Sequence, residues 1–217
     1  KTRRICEYQD GLSMDAIPHV EFSRPRFEKL KNHISRALQD NDTGFENPFA
    51  RAYATCLPET QKSVYYRTLY TSLINGFTRF NQPNHVMKSP DRVLTGIADV
   101  YLVHILYHDA YCDALKKLTV QSFHAVEKQL NDTEHAEKQQ ECEREIALIE
   151  KVRTMSVDWQ GIWDAGYAHM RDHNPAHLVQ WVDAQSKDGK VVVYDPIKRA
   201  DVHLCDVVVK VTHDTNA

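Results

Sequence analysis

The sequence predicts an α+β fold that is mainly helical, with a long helical hairpin followed by a small C-terminal antiparallel sheet. Only seven glycines occur in 217 residues, which argues against a turn-rich β fold. Apolar residues repeat with helical spacing over most of the chain, and from His177 onward they follow the two-residue period of strands. The length suits a single domain over 1–217, with 91–154 as a possible helical-hairpin insertion.

Two helices are predicted before the hairpin. The first begins near Pro25 and has one apolar face, formed by Phe27, Leu30, Ile34 and Leu38. The turn-forming segment DNDTGFENP ends it. The second begins near Pro58 and ends at Asn75-Gly76, a helix C-cap signal, with Val64, Leu69 and Leu73 roughly in phase. The segment NQPNHVMKSPD after it reads as a loop.

The longest helical pattern follows this loop. Its stripe consists of Ile97, Tyr101, His104, His108, Tyr111, Leu115 and Leu118. Asn131-Asp132 interrupts the pattern, and a charged helix with a thinner stripe then follows, formed by Cys142, Ile146 and Ile149. Together they predict an antiparallel helical hairpin over 97–154. An aromatic helix comes next, ends at Asn174-Pro175 and keeps in phase Trp159, Trp163 and Met170.

Three antiparallel strands are predicted in the C-terminal part. The segments HLVQWVD, KVVVYD and DVHLCDVVVKV are rich in valine, and the polar segments AQSKDG and PIKRA separate them. The first two would form a hairpin that runs from His177 to Asp195.

Composition and charge exclude several classes of function. The formal net charge of -3 speaks against binding to nucleic acid or to an anionic membrane surface. No apolar run is long enough to span a bilayer, so we expect a soluble chain without membrane insertion. Five widely spaced cysteines form no CxxC pair, and we therefore expect reduced thiols. The compartment stays open between a cytosol and a secreted effector that acts in one.

The predicted His177–Asp195 hairpin places a histidine beside an aspartate. A carboxylate in that position accepts the Nδ1 proton of the imidazole and orients the ring for a cysteine or serine nucleophile. Residues 177–196 resemble the His–Asp hairpin of papain-like cysteine peptidases, especially bacterial secreted effector proteases and bacteriocin-leader peptidases. In those families a histidine opens one strand, and an aspartate followed by proline closes the next.

This resemblance implies a nucleophilic cysteine upstream, near the start of a helix. Cys56 lies just before the helix predicted from Pro58 and upstream of His177. The implied site has Cys56 as nucleophile, His177 as general base and acid, and Asp195 as the orienting group, acting on a protein substrate. The chain departs from the family because no Gly-rich or Gln-preceded cysteine box is present.

Two pairs of histidines have a spacing that can bind a metal. They are His104 with His108 and His169 with His173, each four residues apart on a predicted helix. A four-ligand site would require the two helices to face each other, which nothing in the sequence demands. We therefore expect no metal and no cofactor.

A second function is left open beside the peptidase. The chain has no Gly-rich phosphate loop, GxSxG or HExxH motif, which weighs against nucleotide binding, serine hydrolysis and metalloprotease activity. The alternative is a non-enzymatic protein-interaction module that binds a protein partner through the face of the 97–154 hairpin.

Overall fold

The structure is a computed structural model that describes residues 43–207 and, before them, 28–29, 31–32 and 34–35. The chain divides into two compact units, Lys1–Asn41 and Asp42–Ala217. In the first unit the described residues are helical and Ile34 is exposed. The other residues of the predicted apolar face, Phe27, Leu30 and Leu38, lie outside the described residues. The prediction of a single domain with an insertion stays a prediction.

The second unit is mainly helical, as predicted. Its helices are α1 (Ala50–Tyr53), α2 (Ser63–Phe80), α3 (Ile97–Glu127), α4 (Asp132–Thr154), α5 (Trp159–His173) and α6 (Leu178–Asp183). Its strands are β1 (Gly44–Glu46), β2 (Met87–Ser89), β3 (Arg92–Leu94), β4 (Lys190–Asp195) and β5 (Ala200–Asp206). Short 3₁₀ helices cover Ala54–Cys56, Gln82–Asn84 and Pro175–His177.

The predicted helical hairpin is confirmed as α3 and α4. Asn131 begins α4 with a capping box: its side chain accepts a hydrogen bond from Glu134 N at 2.9 Å, and the Glu134 carboxylate accepts one from Asn131 N. Leu115 and Ile149, from the two predicted stripes, are both fully buried. Although α3 has 31 residues, no helix among the described residues is long and apolar enough to cross a membrane.

The second predicted helix has different ends in the structure. It begins at Ser63 rather than near Pro58, and it continues through Asn75-Gly76 to Phe80. The prediction of a C-cap at Gly76 is therefore wrong. The last turn is held by Thr78, whose buried Oγ1 donates to Asp99 Oδ2 of α3 at 2.9 Å. This tertiary contact extends the helix beyond the residue at which the local pattern stops it.

A small three-stranded sheet lies in segments that the sequence analysis treated as turn and loop. β1 pairs with β3 in parallel, and β2 pairs with β3 antiparallel, giving the order β1-β3-β2. Val93 and Leu94 of β3 are fully buried. Three-residue strands are too short to show a two-residue period, and their pairing alone defines them.

The first predicted C-terminal strand is wrong. HLVQWVD forms the end of a 3₁₀ helix and then α6, while KVVVYD and the start of DVHLCDVVVKV form the antiparallel pair β4–β5. Residues 208–211 lie outside the described residues. Packing explains α6: the Trp181 ring is buried and stacks on Trp163 with centroids 5.2 Å apart, and its Nε1 donates to Thr95 O. A helical turn is what brings this ring to the core.

Candidate functional site

Cys56, the predicted nucleophile, lies in the core. It ends the 3₁₀ helix Ala54–Cys56, seven residues before α2 begins at Ser63, so it does not lie at the N-terminus of that helix. Its side chain is buried, and burial raises the pKa of the thiol. The thiolate that nucleophilic attack requires is therefore disfavoured near neutral pH.

Asp195, the predicted orienting group, has other partners than His177. It ends β4 with its carboxylate buried, and it accepts hydrogen bonds from Tyr101 Oη at 2.8 Å, from Ile197 N at 2.8 Å and from Lys198 N at 2.9 Å. The backbone bond from Lys198, followed by the Tyr101 hydroxyl, lowers the pKa of this carboxyl. These bonds close the turn after β4 and tie it to α3.

His177 ends the 3₁₀ helix Pro175–His177 and is partly exposed. Among residues 43–207, no hydrogen bond or ion pair joins it to Asp195 or to Cys56. The hairpin that would have set His177 beside Asp195 does not form, because 178–183 is helical. The geometry therefore gives the predicted triad no support.

A different cysteine does contact a histidine. Cys112 Sγ lies 3.9 Å from His108 Nε2, one turn apart in the middle of α3. The thiol is fully buried, and burial raises its pKa to about 11. Burial also lowers the pKa of His108. Both groups are neutral near pH 7, which is the state of a packed core contact rather than of a thiolate–imidazolium pair.

The two histidine pairs are occupied by protein contacts. They are His104 with His108 and His169 with His173, each with ring centroids 4.4 Å apart. His104 Nδ1 lies 2.8 Å from Tyr53 Oη, and burial lowers the pKa of this histidine to about 4. His169 Nε2 lies 3.3 Å from Glu46 Oε1. No group of three or more His, Cys, Asp or Glu side chains among the described residues could hold a metal ion.

Among the described residues, a candidate site is the cavity of about 540 Å³ that is bordered by α2, α3 and β4. Its walls are mainly apolar and include Phe77, Ile97, Leu102, Leu106, Val191 and Val193. Its polar groups belong to Asn81, Asn84, His85, Asp99 and Gln185. An apolar cavity of this size with a few polar side chains is the usual form of a ligand site.

Asp99 organises the polar side chains of the cavity. It lies in the first turn of α3, where the helix dipole favours a carboxylate, and it is fully buried. Its Oδ1 accepts a hydrogen bond from Asn81 Nδ2 at 2.8 Å, and its Oδ2 accepts one from Thr78 Oγ1 at 2.9 Å. His85 Nε2 lies 2.7 Å from Oδ2. The imidazole is thus paired with a carboxylate whose own position is fixed.

The start of α3 is shaped around this imidazole. Gln185 caps the helix: its Oε1 accepts from Ile97 N at 2.7 Å, and its Nε2 donates to Trp181 O at 2.9 Å. A Cβ on Gly96 would lie 2.9 Å from His85 Cε1, closer than real Cβ atoms come. Glycine at this position therefore lets the His85 ring lie directly against the helix N-terminus.

One wall of the cavity is the edge of a strand. Residues 191–194 all border the cavity, yet their side chains alternate, with Val191 and Val193 buried and Val192 and Tyr194 about half exposed. Neighbouring side chains of a strand point to opposite faces. Four consecutive residues can share one cavity only if the strand presents its edge to it.

No family model matches the chain, and no curated protein or solved structure matches it. Neither His85 nor Asp99 was predicted as a site residue. His85 stands in a segment that was predicted to be a loop. The signal that was present is an acidic residue in the first turn of a helix, which is too common to indicate a site.

Proposed function

We propose that the chain is a non-enzymatic binding module that takes its ligand into the cavity bordered by α2, α3 and β4. The observation that carries the proposal is the cavity itself: about 540 Å³ with mainly apolar walls and a His85 ring held 2.7 Å from the buried Asp99. The His85 imidazole and its Asp99 partner both stand among the polar groups that border the cavity. Fixed polar groups orient a ligand, and apolar walls supply affinity.

The state of the thiols supports binding over acyl transfer. Cys56, Cys112 and Cys205 are buried, and burial raises the pKa of each thiol. Burial also raises the pKa of Cys142, which is partly exposed. The cysteine peptidase that the resemblance implies needs a thiol whose pKa is lowered by an imidazolium. Cys6 lies outside the described residues.

The cavity is also a better binding surface than the helical hairpin. Ile149 is the buried residue of α4, and most of the other side chains of this helix are polar or charged. Among the large exposed apolar side chains, α4 contributes Leu148, and α3 contributes Leu106, which borders the cavity, Tyr107 and Val126. The outer face of α4 is thus mainly charged and solvated. A solvated charged face of this kind carries little of the apolar area that stabilises complexes.

A fluorescent probe of apolar surface tests this proposal. We expect 8-anilino-1-naphthalenesulfonate to bind with enhanced fluorescence, and Ala98→Leu, which adds a larger side chain to the cavity wall, to weaken binding about tenfold. Ala125→Leu is the matched control, since it makes the same change on an exposed position of α3 away from the cavity. Equal probe affinity in both folded variants would contradict the proposal.

A further inference from the structure

We infer that the ligand of this cavity is an extended segment of another protein, which pairs its backbone with the free edge of β4 and places an apolar side chain in the cavity. This inference rests on the proposed function, because it names the class of ligand for the same site. Strand addition of this kind combines backbone hydrogen bonds with side-chain pockets.

The first observation is that one edge of β4 has no strand partner within the described residues 43–207. β4 pairs with β5 in a two-stranded sheet, and among residues 43–207 no backbone hydrogen bond from outside that sheet reaches 192–194. An unpaired edge presents a row of N–H and C=O groups that another strand can bind. The exposed side chains on this edge, Val192 and Tyr194, are β-prone and apolar or aromatic.

The second observation identifies which backbone groups are free. Gly189 O accepts from Val207 N at 2.8 Å and so points towards the β5 side. Lys190 N donates to Lys187 O at 3.0 Å, and Lys190 O accepts from Lys187 N at 2.9 Å. The backbone N–H and C=O of Lys190 therefore point away from β5. Successive residues of a strand direct their N–H and C=O groups to alternate sides. The groups of Val192 and Tyr194 therefore point to the free edge.

A register shift does not disturb this alternation along β4. Val191 pairs with Cys205 and Val192 pairs with His203, so the extra residue stands in β5. The unbulged strand of such a pair keeps its regular pattern.

The third observation is the position of the edge beside the cavity. An added strand would lie about 4.8 Å from β4, and 191–194 form part of the cavity wall. Every second side chain of that strand would then face the apolar walls formed by Phe77, Leu102 and Leu106. A volume of about 540 Å³ accommodates a large aliphatic or aromatic side chain.

Charge selects the partner. The exposed charges of the β4–β5 segment, from 187 to 206, are four basic ones, Lys187, Lys190, Lys198 and Arg199, and three acidic ones, Asp188, Asp201 and Asp206, the last of which lies across from Lys190. These basic groups stand beyond both ends of the free edge, so they favour acidic residues that flank an apolar core.

Synthetic nonapeptides test the inference. One library has alternating apolar residues between flanking Asp and Glu, and the second has the same cores between Lys and Arg. We expect binders from the acidic library, at least about tenfold tighter than their basic counterparts at low salt. N-methylation of single peptide positions should weaken binding at every second residue, because alternate N–H groups face β4.

A protein variant tests the edge directly. Val192→Pro removes an N–H that faces the free edge and leaves the β4–β5 hydrogen bonds in place, and proline is tolerated on edge strands. It should weaken peptide binding about tenfold or more, whereas Val192→Thr, which keeps the N–H, should weaken it much less. Amide hydrogen exchange of β5 shows whether the sheet is intact in both variants.

The outcomes separate this inference from the function on which it rests. If the fluorescent probe responds to Ala98→Leu but neither library yields a binder, the cavity binds a small molecule and the peptide inference is wrong. If neither probe nor peptide binds, both proposals fall. A dimer of the chain that Val192→Pro dissociates would make a second copy the occupant and would also overturn the inference.

Discussion

Gly166 offers a stringent test of the packing in the hydrophobic core. A Cβ at this position of α5 would lie 2.5 Å from Phe49 Cδ1 and closer still to Cε1, whereas carbon atoms in contact are about 3.5–4.0 Å apart. The Phe49 ring is fully buried, with the Trp181 ring centroid at 5.4 Å and the Trp163 centroid at 6.3 Å. Because these rings pack around it, the Phe49 ring cannot move away from an added Cβ without displacing them.

Two opposed contributions determine how far Gly166→Ala changes the free energy of unfolding. Overpacking a core costs about 1–3 kcal/mol, and an overlap of more than about 1 Å belongs at the upper end of that range. Alanine in place of glycine inside a helix gains about 1 kcal/mol. Gly166→Ala should therefore lower the free energy of unfolding by about 2 kcal/mol. Gly76→Ala is the matched control: no atom lies within 4 Å of its Cβ, so it should raise stability by about 1 kcal/mol.

Urea denaturation followed by circular dichroism and tryptophan fluorescence measures both changes, provided that the two probes coincide and m is unchanged. Phe49→Leu in the Gly166→Ala background should recover part of the loss, because the two substitutions act on one contact. Equal stability of Gly166→Ala and Gly76→Ala would refute the predicted overlap with Phe49. Additive effects of Phe49→Leu and Gly166→Ala on the free energy of unfolding would refute it as well.

Three further predictions concern titratable groups. The backbone N–H of Lys198 and the Tyr101 hydroxyl both stabilise the Asp195 carboxylate. Tyr101→Phe should therefore raise the pKa of Asp195, measured by carboxyl carbon NMR. The free energy of unfolding that is lost as pH falls through this pKa should then become smaller. Burial lowers the pKa of His104 from 6.5 to about 4. Between about pH 6.5 and 4 the unfolded chain therefore binds a proton at His104 that the folded chain does not, and the folded state loses stability as pH falls. His104→Gln should reduce this loss, measured by urea denaturation. Cys142, which is partly exposed, should react with limiting iodoacetamide faster than the buried thiols of the described residues, as ranked by mass spectrometry; equal rates would contradict the burial seen here.

The helical hairpin could be predicted because its signal is long and local. The stripe through Leu115 extends over several turns of α3, and the shorter one through Ile149 occupies the facing side of α4. Asn131 and Glu134 also have the spacing of a capping box, which fixes where α4 begins. Agreement between apolar period and capping chemistry is what makes such an element predictable.

The segment that became α6 carried two conflicting signals. Val179 and Val182 favour a strand by residue type, and this preference led to the wrong prediction. Leu178, Trp181 and Val182 have helical spacing, and Trp181 and Val182 are buried while Val179 is 72% exposed. The stacking of Trp181 on Trp163 decides between the two, and that contact joins residues of separate helices. A local pattern cannot contain it.

The cavity depends on the same correction. As a strand, 177–183 would have paired with 190–195 on the side where Lys187 meets Lys190, and it would have covered the edge to which Val192 points. Because this segment forms α6 instead, the pairing of the preceding chain with β4 stops after the single bridge between Lys187 and Lys190. Within 43–207, β4 therefore keeps an unpaired edge beside α3. The residues that line the cavity come from 77–85, 96–106 and 184–196, each of ordinary composition. The sequence can predict the helices that carry these residues, but His85, Asp99 and the β4 edge become a site only where the three segments meet.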